Sequence, residues 1–228
     1  MALVVQSQKP ALVPVVGTAD SFPVGRIWCV GRNYADHARE MGHDDRDPPF
    51  FFAKPASAVA LDGSELPFPP QTKDLHHEVE LVVALAGGGS DVTVEQAHGL
   101  VFGYAVGFDM TLRDVQGLAK KAGRPWDLSK GFDRSCPIGP IAPAARIGHP
   151  LRGRIEATVN GEVRQHGDID QMIWSVAECI ACLSRSIELL PGDLLMTGTP
   201  AGVGSVQAGD WLRGRCDGVG EVSVTYRA

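Results

Sequence analysis

The strongest indication of the fold lies in one stretch of the chain, HHEVELVVALA at residues 76–86. Val79 and Leu81 alternate with polar residues at its start, which predicts a β-strand that turns these two side chains towards a core. The same alternation places Glu78 and Glu80 together on the opposite face. Two carboxylates this close repel each other unless positive charge lies nearby. Two interpretations follow: a hard divalent cation held by both carboxylates, or a solvated strand face paired with lysine or arginine.

Strand-like segments rich in valine, isoleucine, phenylalanine and threonine continue on both sides of this stretch. Asn160-Gly161, between two of them, predicts a tight β-hairpin. Regular alternation of strands and helices is missing, which argues against a Rossmann sheet. We therefore expect an α+β fold that is mostly β, with few peripheral helices. The other strand-like segments are RIWCVG (26–31), PFFFAK (49–54), VFGYAVGFDMT (101–111), GRIEATVN (153–160), DLLMTGT (193–199), WLRGRCDG (211–218) and GEVSVTYRA (220–228).

Helical character is limited to residues 34–42, 94–100, 111–122 and 170–186. The last is the longest, with apolar residues at helical spacing and an aspartate before it as a suitable N-cap. Residues 1–20 are expected to form an irregular N-terminal leader, and residues 21–228 a single domain.

Composition excludes several classes of protein. The 228 residues carry 21 lysines and arginines against 27 aspartates and glutamates, a net charge of −6, which disfavours non-specific nucleic-acid binding. No stretch approaches the roughly 18 apolar residues of a membrane span, and no basic segment opens a signal peptide. Five cysteines, an odd number, suggest free thiols and a cytoplasmic location. Cys179 and Cys182 form a CxxC, which we interpret as two buried helical thiols because no second ligand pair accompanies it.

Asp109, in GYAVGFDMTLRDVQ, ends an apolar strand, an unusual place for a carboxylate. It is a candidate N-cap for the helix that begins near Thr111. It is also a candidate third carboxylate beside Glu78 and Glu80. Three carboxylates with water completing the shell suit Mg²⁺ or Mn²⁺, whereas zinc would require histidine or cysteine ligands.

His37 and Glu40, in NYADHAREMG, are spaced i and i+3, so they share a face of the predicted helix. A carboxylate beside an imidazole orients it and raises its basicity, as a general base requires. The alternative is a surface ion pair.

Three further features carry two interpretations each. The loop TGTPAGVG (197–204) offers glycine backbone N–H groups that could hold an anion, or it is simply a β-turn. Lys54 and Lys130 each lie near apolar segments, where a lysine either meets a substrate carboxylate or extends to solvent.

Seven segments, in this order, resemble the fumarylacetoacetate hydrolase family, from about residue 25 onwards. The resemblance is to its short, single-domain members, including fumarylpyruvate hydrolases and acylpyruvases. It implies a mixed β-roll of layered sheets. The segments are VGRNYADHAREMG, FFFAKPASAV, HHEVELVVAL, GYAVGFDMTLRDVQ, WDLSKGFDRSCPIGP, VNGEVRQHGDIDQMIWSVAE and LLMTGTPAGVG.

The resemblance also implies roles for residues. Glu78, Glu80 and Asp109 match the family's metal ligands, so one Mg²⁺ or Mn²⁺ per chain is expected. His37 and Glu40 match a catalytic dyad on a lid. The matching substrate-contacting or catalytic positions are Arg32, Arg113, Gln116, Lys130 and Thr199.

The implied activity is cleavage of a carbon–carbon bond in a 2,4-dioxo acid, with fumarylpyruvate giving fumarate and pyruvate in the catabolism of aromatic compounds. The domain over 21–228 would then be catalytic, and a homodimer is expected. Alternatives within the family are an acylpyruvase that decarboxylates oxaloacetate, or an isomerase or decarboxylase of hydroxymuconate-type diacids. A β-rich binding module without catalytic activity is the alternative from another class.

Overall fold

The computed structural model describes residues 4–5, 9–34 and 48–227, and strands dominate this part of the chain. The predicted fold class, mostly β with layered sheets of mixed direction, is confirmed. The strands are β1 (Ala11–Pro14), β2 (Ser21–Val24), β3 (Arg26–Gly31), β4 (Phe50–Pro55), β5 (Val59–Leu61), β6 (Ser64–Pro67), β7 (Leu75–His77), β8 (Val79–Leu85), β9 (Val101–Phe108), β10 (Thr111–Leu112), β11 (Cys136–Ile138), β12 (Ala142–Pro143), β13 (Arg154–Val159), β14 (Glu162–Asp168), β15 (Leu194–Met196), β16 (Gly204–Val206), β17 (Trp211–Cys216) and β18 (Gly220–Arg227).

The helices are short and lie between strands. They are α1 (Val94–Ala97), α2 (Arg113–Lys121), α3 (Asp127–Lys130), α4 (Ala144–Ile147) and α5 (Val176–Ser184), with 3-10 turns at Ala56–Ala58, His98–Leu100 and Ile169–Gln171. Within the described ranges, no helix is long and apolar enough to cross a membrane. The helix predicted over 34–42 lies, beyond Tyr34, outside the described residues.

A central sheet of eight strands organises the molecule. Its order is β4-β3-β15-β8-β9-β11-β5, with β12 paired to β9. Strands β3 and β15 are parallel, as are β11 and β5, and the other pairs are antiparallel. Every residue of β8 is buried, which explains why its sequence becomes continuously apolar after Glu80: both faces of the sheet are covered.

Two layers cover the central sheet. On one face, Val79, Leu81 and Val83 join the core formed with a five-stranded sheet of order β14-β13-β17-β18-β6. On the other face, Val82 and Ala84 pack in a second core with the β1–β2 hairpin. A third sheet, β10-β7-β16, lies at the end where β8 begins.

The N-terminal segment differs from the prediction. Residues Ala11–Pro14 form β1, which pairs with β2, so the expectation of an irregular leader over 1–20 is wrong there. Val13 and Val15 are buried against the central sheet. Pro14 is compatible with this strand, because a two-stranded hairpin has an outer edge where proline costs no hydrogen bond of the ladder.

The predicted hairpin at Asn160-Gly161 is confirmed. The two residues join β13 to β14 and have φ angles of 53° and 84°. Both values lie in the left-handed region that a type I′ turn requires and that asparagine and glycine tolerate.

The helix predicted over 170–186 is wrong in its first half: a 3-10 turn ends at Gln171, and α5 begins only at Val176. The intervening backbone is bound by Asn33, which accepts from the Trp174 N–H and donates to the Trp174 and Thr197 carbonyls. Ser175 then caps α5 in a reciprocal pair with Glu178. A partner some 140 residues away in sequence thus interrupts the helical pattern.

Gly139, directly after β11, lies close against β18 of the five-stranded sheet. A Cβ at this position would lie 2.0 Å from the Glu221 carbonyl oxygen of β18. We predict that Gly139→Ala lowers the free energy of unfolding by about 2 kcal/mol or more, because overpacking typically costs about 1–3 kcal/mol. Urea unfolding measures this.

Gly117→Ala is the matched control, since a Cβ at Gly117 meets nothing within 4 Å. In helix α2 the same change is expected to stabilise by about 0.5–1 kcal/mol. Equal effects of the two substitutions would contradict the close approach of the sheets.

Candidate active site

One cavity collects most of the residues that the sequence singled out. Its walls come from the start of β8, the end of β9, the loop after β15, helices α2 and α3, and strands β3 and β4. Glu78, Glu80 and Asp109 form its acidic floor. Each contributes a carboxylate oxygen, and these atoms lie within 4.8 Å of one another. The predicted convergence of the three carboxylates is therefore confirmed.

The register of the central sheet brings the three acids together. Val79 pairs with Phe108, and the Asp109 N–H donates to the Glu78 carbonyl at 2.8 Å, so Glu78 and Asp109 lie opposite each other. Glu80 is two residues along the same face of β8. Asp109 does not cap a helix: α2 begins at Arg113 with Leu112 at the N-cap position.

Burial makes this arrangement electrostatically demanding. Glu80 is 2 % exposed and Asp109 1 %. Burial, followed by repulsion from Asp109 and Glu78, raises the pKa of Glu80 well above its usual range. One opposing contact is the Gly198 N–H, which donates to Glu80 Oε2 at 2.7 Å.

The pKa of Glu78 is shifted in the opposite direction to that of Glu80. Burial alone would raise its pKa, but the positive charges of Lys130 and Arg113 outweigh burial and hold the pKa well below its usual range. Lys130 Nζ lies 2.8 Å from Glu78 Oε2 and 2.5 Å from Asp109 Oδ2. Burial would lower the pKa of Lys130, but Asp109 and Glu78 raise it, so the ammonium stays protonated. Lys130 does not extend to solvent.

Lys54 is a second buried cation at the acidic floor, and the sequence did not assign it there. Its Nζ lies 2.7 Å from Asp109 Oδ1 and also donates to the carbonyls of Met110 and Lys130. Its side chain is fully buried, so it does not extend to solvent. The sequence around Lys54 contains no pattern that distinguishes a buried lysine paired with a carboxylate from a lysine that extends to solvent.

The loop after β15 is tied to the start of β8. The hydroxyls of Thr197 and Thr199 donate to the Leu81 and Val79 carbonyls at 2.9 and 2.7 Å. Gly198 between them has φ 98°, and a Cβ there would lie 2.8 Å from Asn33 Cβ. A backbone N–H of this glycine loop therefore does bind an acidic group, because the Gly198 N–H donates to the Glu80 carboxyl group.

Gln165 supports this loop from β14, and sequence analysis missed it. Its Oε1 accepts from the Val79 N–H at 3.0 Å and lies 2.8 Å from His77 Nδ1. Its Nε2 donates to Thr199 Oγ1 and to the Pro200 carbonyl, both at 2.8 Å. All four bonds of the amide are used, so Gln165 fixes the loop against β8.

The remaining predicted residues fall into two groups. Arg113 contacts Glu78 and donates to Gln116 Oε1 at 2.8 Å. Arg32, with φ 60°, places its guanidinium 5.3 Å from the centre of the Phe50 ring. Both arginines, Gln116 and Thr199 line the cavity. His37 and Glu40 lie outside the described residues.

The donor set suits a hard divalent cation. Three buried carboxylates converge, and burial together with repulsion from Asp109 and Glu78 raises the pKa of Glu80, so a cation bound here would stabilise the charged form. Oxygen-only ligands favour Mg²⁺ or Mn²⁺ over zinc. The alternative of a solvated strand face paired with lysine or arginine is wrong about the solvent, since both glutamates are buried, but Glu78 does pair with Lys130 and Arg113.

Comparison with known proteins agrees with this site. The family model "Fumarylacetoacetate (FAA) hydrolase C-terminal" matches residues 26–226. The chain belongs to the fumarylacetoacetate hydrolase family.

Two kinds of relative stand out. The crystal structure of fumarylpyruvate hydrolase from Pseudomonas aeruginosa, in complex with Mn²⁺ and pyruvate, is 52% identical, covers 99% of both chains and has a TM-score of 0.96. The mitochondrial oxaloacetate tautomerase of Rattus norvegicus is 44% identical over 92% of this chain and 97% of its own length. An oxaloacetate tautomerase of Escherichia coli strain K12 is 42% identical over 89% of this chain and 93% of its own.

We predict that Mn²⁺ raises the melting temperature of this protein and that Glu80→Gln removes most of this increase. A cation that binds only the folded state stabilises it by mass action, and the amide is a weaker ligand. Without the cation, Glu80→Gln is expected to be at least as stable as the wild type, because a repelled charge is gone while an oxygen remains for the Gly198 N–H. Thermal scans with and without Mn²⁺ measure both effects.

Glu156→Gln is the matched control for a buried carboxylate. Glu156 is 6 % exposed, lies on β13 and pairs with Arg154 and Arg215, away from the cavity. This variant is expected to keep the full response to Mn²⁺. A full Mn²⁺ response in Glu80→Gln would show that the acidic floor is not the cation site.

Proposed function

We propose that this protein is a hydrolase dependent on a divalent cation that cleaves fumarylpyruvate, a 2,4-dioxo acid, into fumarate and pyruvate. The observation that carries the proposal is the acidic floor of Glu78, Glu80 and Asp109 in a cavity whose lining also includes four cations, Arg32, Arg113, Lys120 and Lys130. Such a cavity suits an anionic keto acid that also binds a cation. The 52% identical fumarylpyruvate hydrolase supports this substrate.

In this proposal, the pyruvyl end of the substrate lies at the acidic floor. The bound cation, held by the three carboxylates, would supply Lewis-acid charge at the keto oxygens. Arg113 and Gln116, at i and i+3 of helix α2, lie on one face and donate to the substrate carboxylate. Arg113 is already held by Glu78 and Gln116, so its side chain is positioned before substrate arrives.

Cleavage requires a nucleophile and a place for the departing electron pair. Lys130 stays protonated beside Asp109 and Glu78, so it serves as a fixed positive charge and not as a base. We assign the base to His37, oriented by Glu40, on the spacing of these residues in the sequence. His37 takes a proton from water, the hydroxide adds to the distal carbonyl, and the carbon–carbon bond breaks. The pair departs as the enolate of pyruvate, whose charge Lys130 faces. The enolate carbon then takes the proton that His37 removed from water, which gives pyruvate and restores the base.

A second candidate function is the enolisation or decarboxylation of oxaloacetate. The 44% identical oxaloacetate tautomerase favours it. Both reactions also pass through the enol or enolate of a 2-keto acid, so the same floor and the same Lys130 would serve. Neither requires an attack by water, and this is the difference that an experiment can use.

We predict that the protein, with Mg²⁺ or Mn²⁺, removes the absorbance of fumarylpyruvate and releases fumarate and pyruvate in equal amounts. Chelation is expected to stop the reaction, and added cation to restore it. His37→Ala should lower kcat by about 100-fold or more, the usual contribution of a general base, while oxaloacetate decarboxylation, if present, persists. Substrate absorbance and chromatography of the products measure these outcomes.

Two results would contradict the proposal. Absence of fumarylpyruvate turnover with either cation, in a protein that folds and responds to Mn²⁺, would reject the hydrolase. Rapid enolisation or decarboxylation of oxaloacetate in the same preparation would then support the second candidate.

A further inference from the structure

We infer that Lys120 is a specificity-determining residue that binds the far carboxylate of a dianionic substrate, in a subsite at the rim of the cavity that Trp126 and Arg32 complete. The inference rests on the proposed function and deepens it. It assigns a role to a lysine that neither the spacing of motifs nor the acidic floor singles out.

The position of Lys120 on helix α2 is the first support. Arg113, Gln116 and Lys120 follow one another at i, i+3 and i+7, so they share the helix face that lines the cavity. Arg113 and Gln116 belong to the floor, because Arg113 contacts Glu78. Lys120 lies one turn farther, about 6 Å along the helix axis from Gln116 at 1.5 Å per residue. The helix therefore places Arg113 and Gln116 near the floor and Lys120 farther from it.

The surroundings of Lys120 are the second support. Its Nζ lies 5.0 Å from the centre of the Trp126 ring, a cation–π contact that holds the ammonium at the rim. Trp126 packs edge-on against Phe50 and Phe52, with ring centres 5.4 and 5.8 Å away. These aromatic rings form a wall beside the cavity mouth, suited to the flat, conjugated carbons of a fumaryl group.

The third support is that two positive charges at the rim have no carboxylate partner among the described residues. Among the described residues, Lys120 and Arg32 each contact an aromatic ring and neither forms an ion pair with a carboxylate. Burial lowers the pKa of Lys120, and the positive charges of Arg113 and Arg32 lower it further. Cations gathered without acids are unfavourable, and a carboxylate placed between them removes that cost.

The chemistry of the substrate matches this layout. Fumarylpyruvate has a carboxylate at each end of a seven-carbon chain, whereas the two carboxylates of oxaloacetate are three carbons closer together. With the pyruvyl end at the floor, only the longer diacid extends to the rim. Lys120 would therefore select long dianions over short diacids and over acylpyruvates that end in a methyl group.

The test compares fumarylpyruvate with acetylpyruvate, which has a methyl group in place of the distal carboxyvinyl group. In the protein loaded with Mn²⁺, Lys120→Gln is expected to raise the KM for fumarylpyruvate about tenfold or more, the usual effect of losing a charged hydrogen bond. Its KM for acetylpyruvate should change less than about twofold. Lys120→Arg keeps the charge and should restore most of the affinity.

Lys121→Gln is the matched control, because it removes the same charge from the neighbouring, exposed position of α2. It should leave both substrates unaffected. An unchanged KM for fumarylpyruvate in Lys120→Gln, or an equal change for both substrates, would overturn the subsite.

Calorimetric binding of the two dioxo acids separates this inference from the proposed function. If the wild type binds both compounds but cleaves neither, the hydrolase is rejected. Weaker binding of fumarylpyruvate alone by Lys120→Gln would still establish the subsite. If Lys120→Gln binds both compounds as the wild type does, the subsite is rejected even in an active hydrolase.

Discussion

The repulsion among three buried carboxylates is the constraint on which the site depends. Glu78, Glu80 and Asp109 lie within 4.8 Å of one another and almost out of reach of water, where like charges repel far more strongly than at a surface. The positive charges of Lys130 and Lys54 offset part of this repulsion at Asp109 and Glu78. The charge at Glu80 is left without a cation of its own, and this uneven balance gives the cavity its affinity for a divalent ion.

The sheet explains why so demanding a cluster stays together. The pairing of β8 with β9 sets Asp109 opposite Glu78, so separating the acids would require a slip of register. Such a slip would turn Val79 and Leu81 out of the core. The free energy gained by burying Val79 and Leu81 in the core therefore holds the three carboxylates in place. The loop after β15 is fixed in turn by bonds to β8 and by Gln165, which brings the Gly198 N–H to Glu80.

The sequence predicts those features that depend on local pattern. Alternation in β8 predicts the strand and its paired glutamates, and Asn160-Gly161 predicts a turn. The sequence does not predict features that depend on contacts with a distant part of the chain. The helix expected from residue 170 is interrupted because Asn33 binds the backbone at Trp174. Residues Ala11–Pro14 form a strand because they pair with β2 and pack against the central sheet. In neither case does the sequence of the affected segment indicate the distant partner.

The buried cations at the site are harder to predict from the sequence than its acids. A glutamate in an apolar strand is conspicuous, because burying it requires compensation. Lysines are frequent near apolar segments and usually reach solvent, so Lys54 and Lys120 resemble many surface lysines until the fold closes around them. The acidic floor defines chemistry that hydrolysis and oxaloacetate enolisation share. In the proposed function, the choice between these reactions depends on less conspicuous groups: the base that we assign to His37, and the cations that we infer at the rim, where substrates of different length differ.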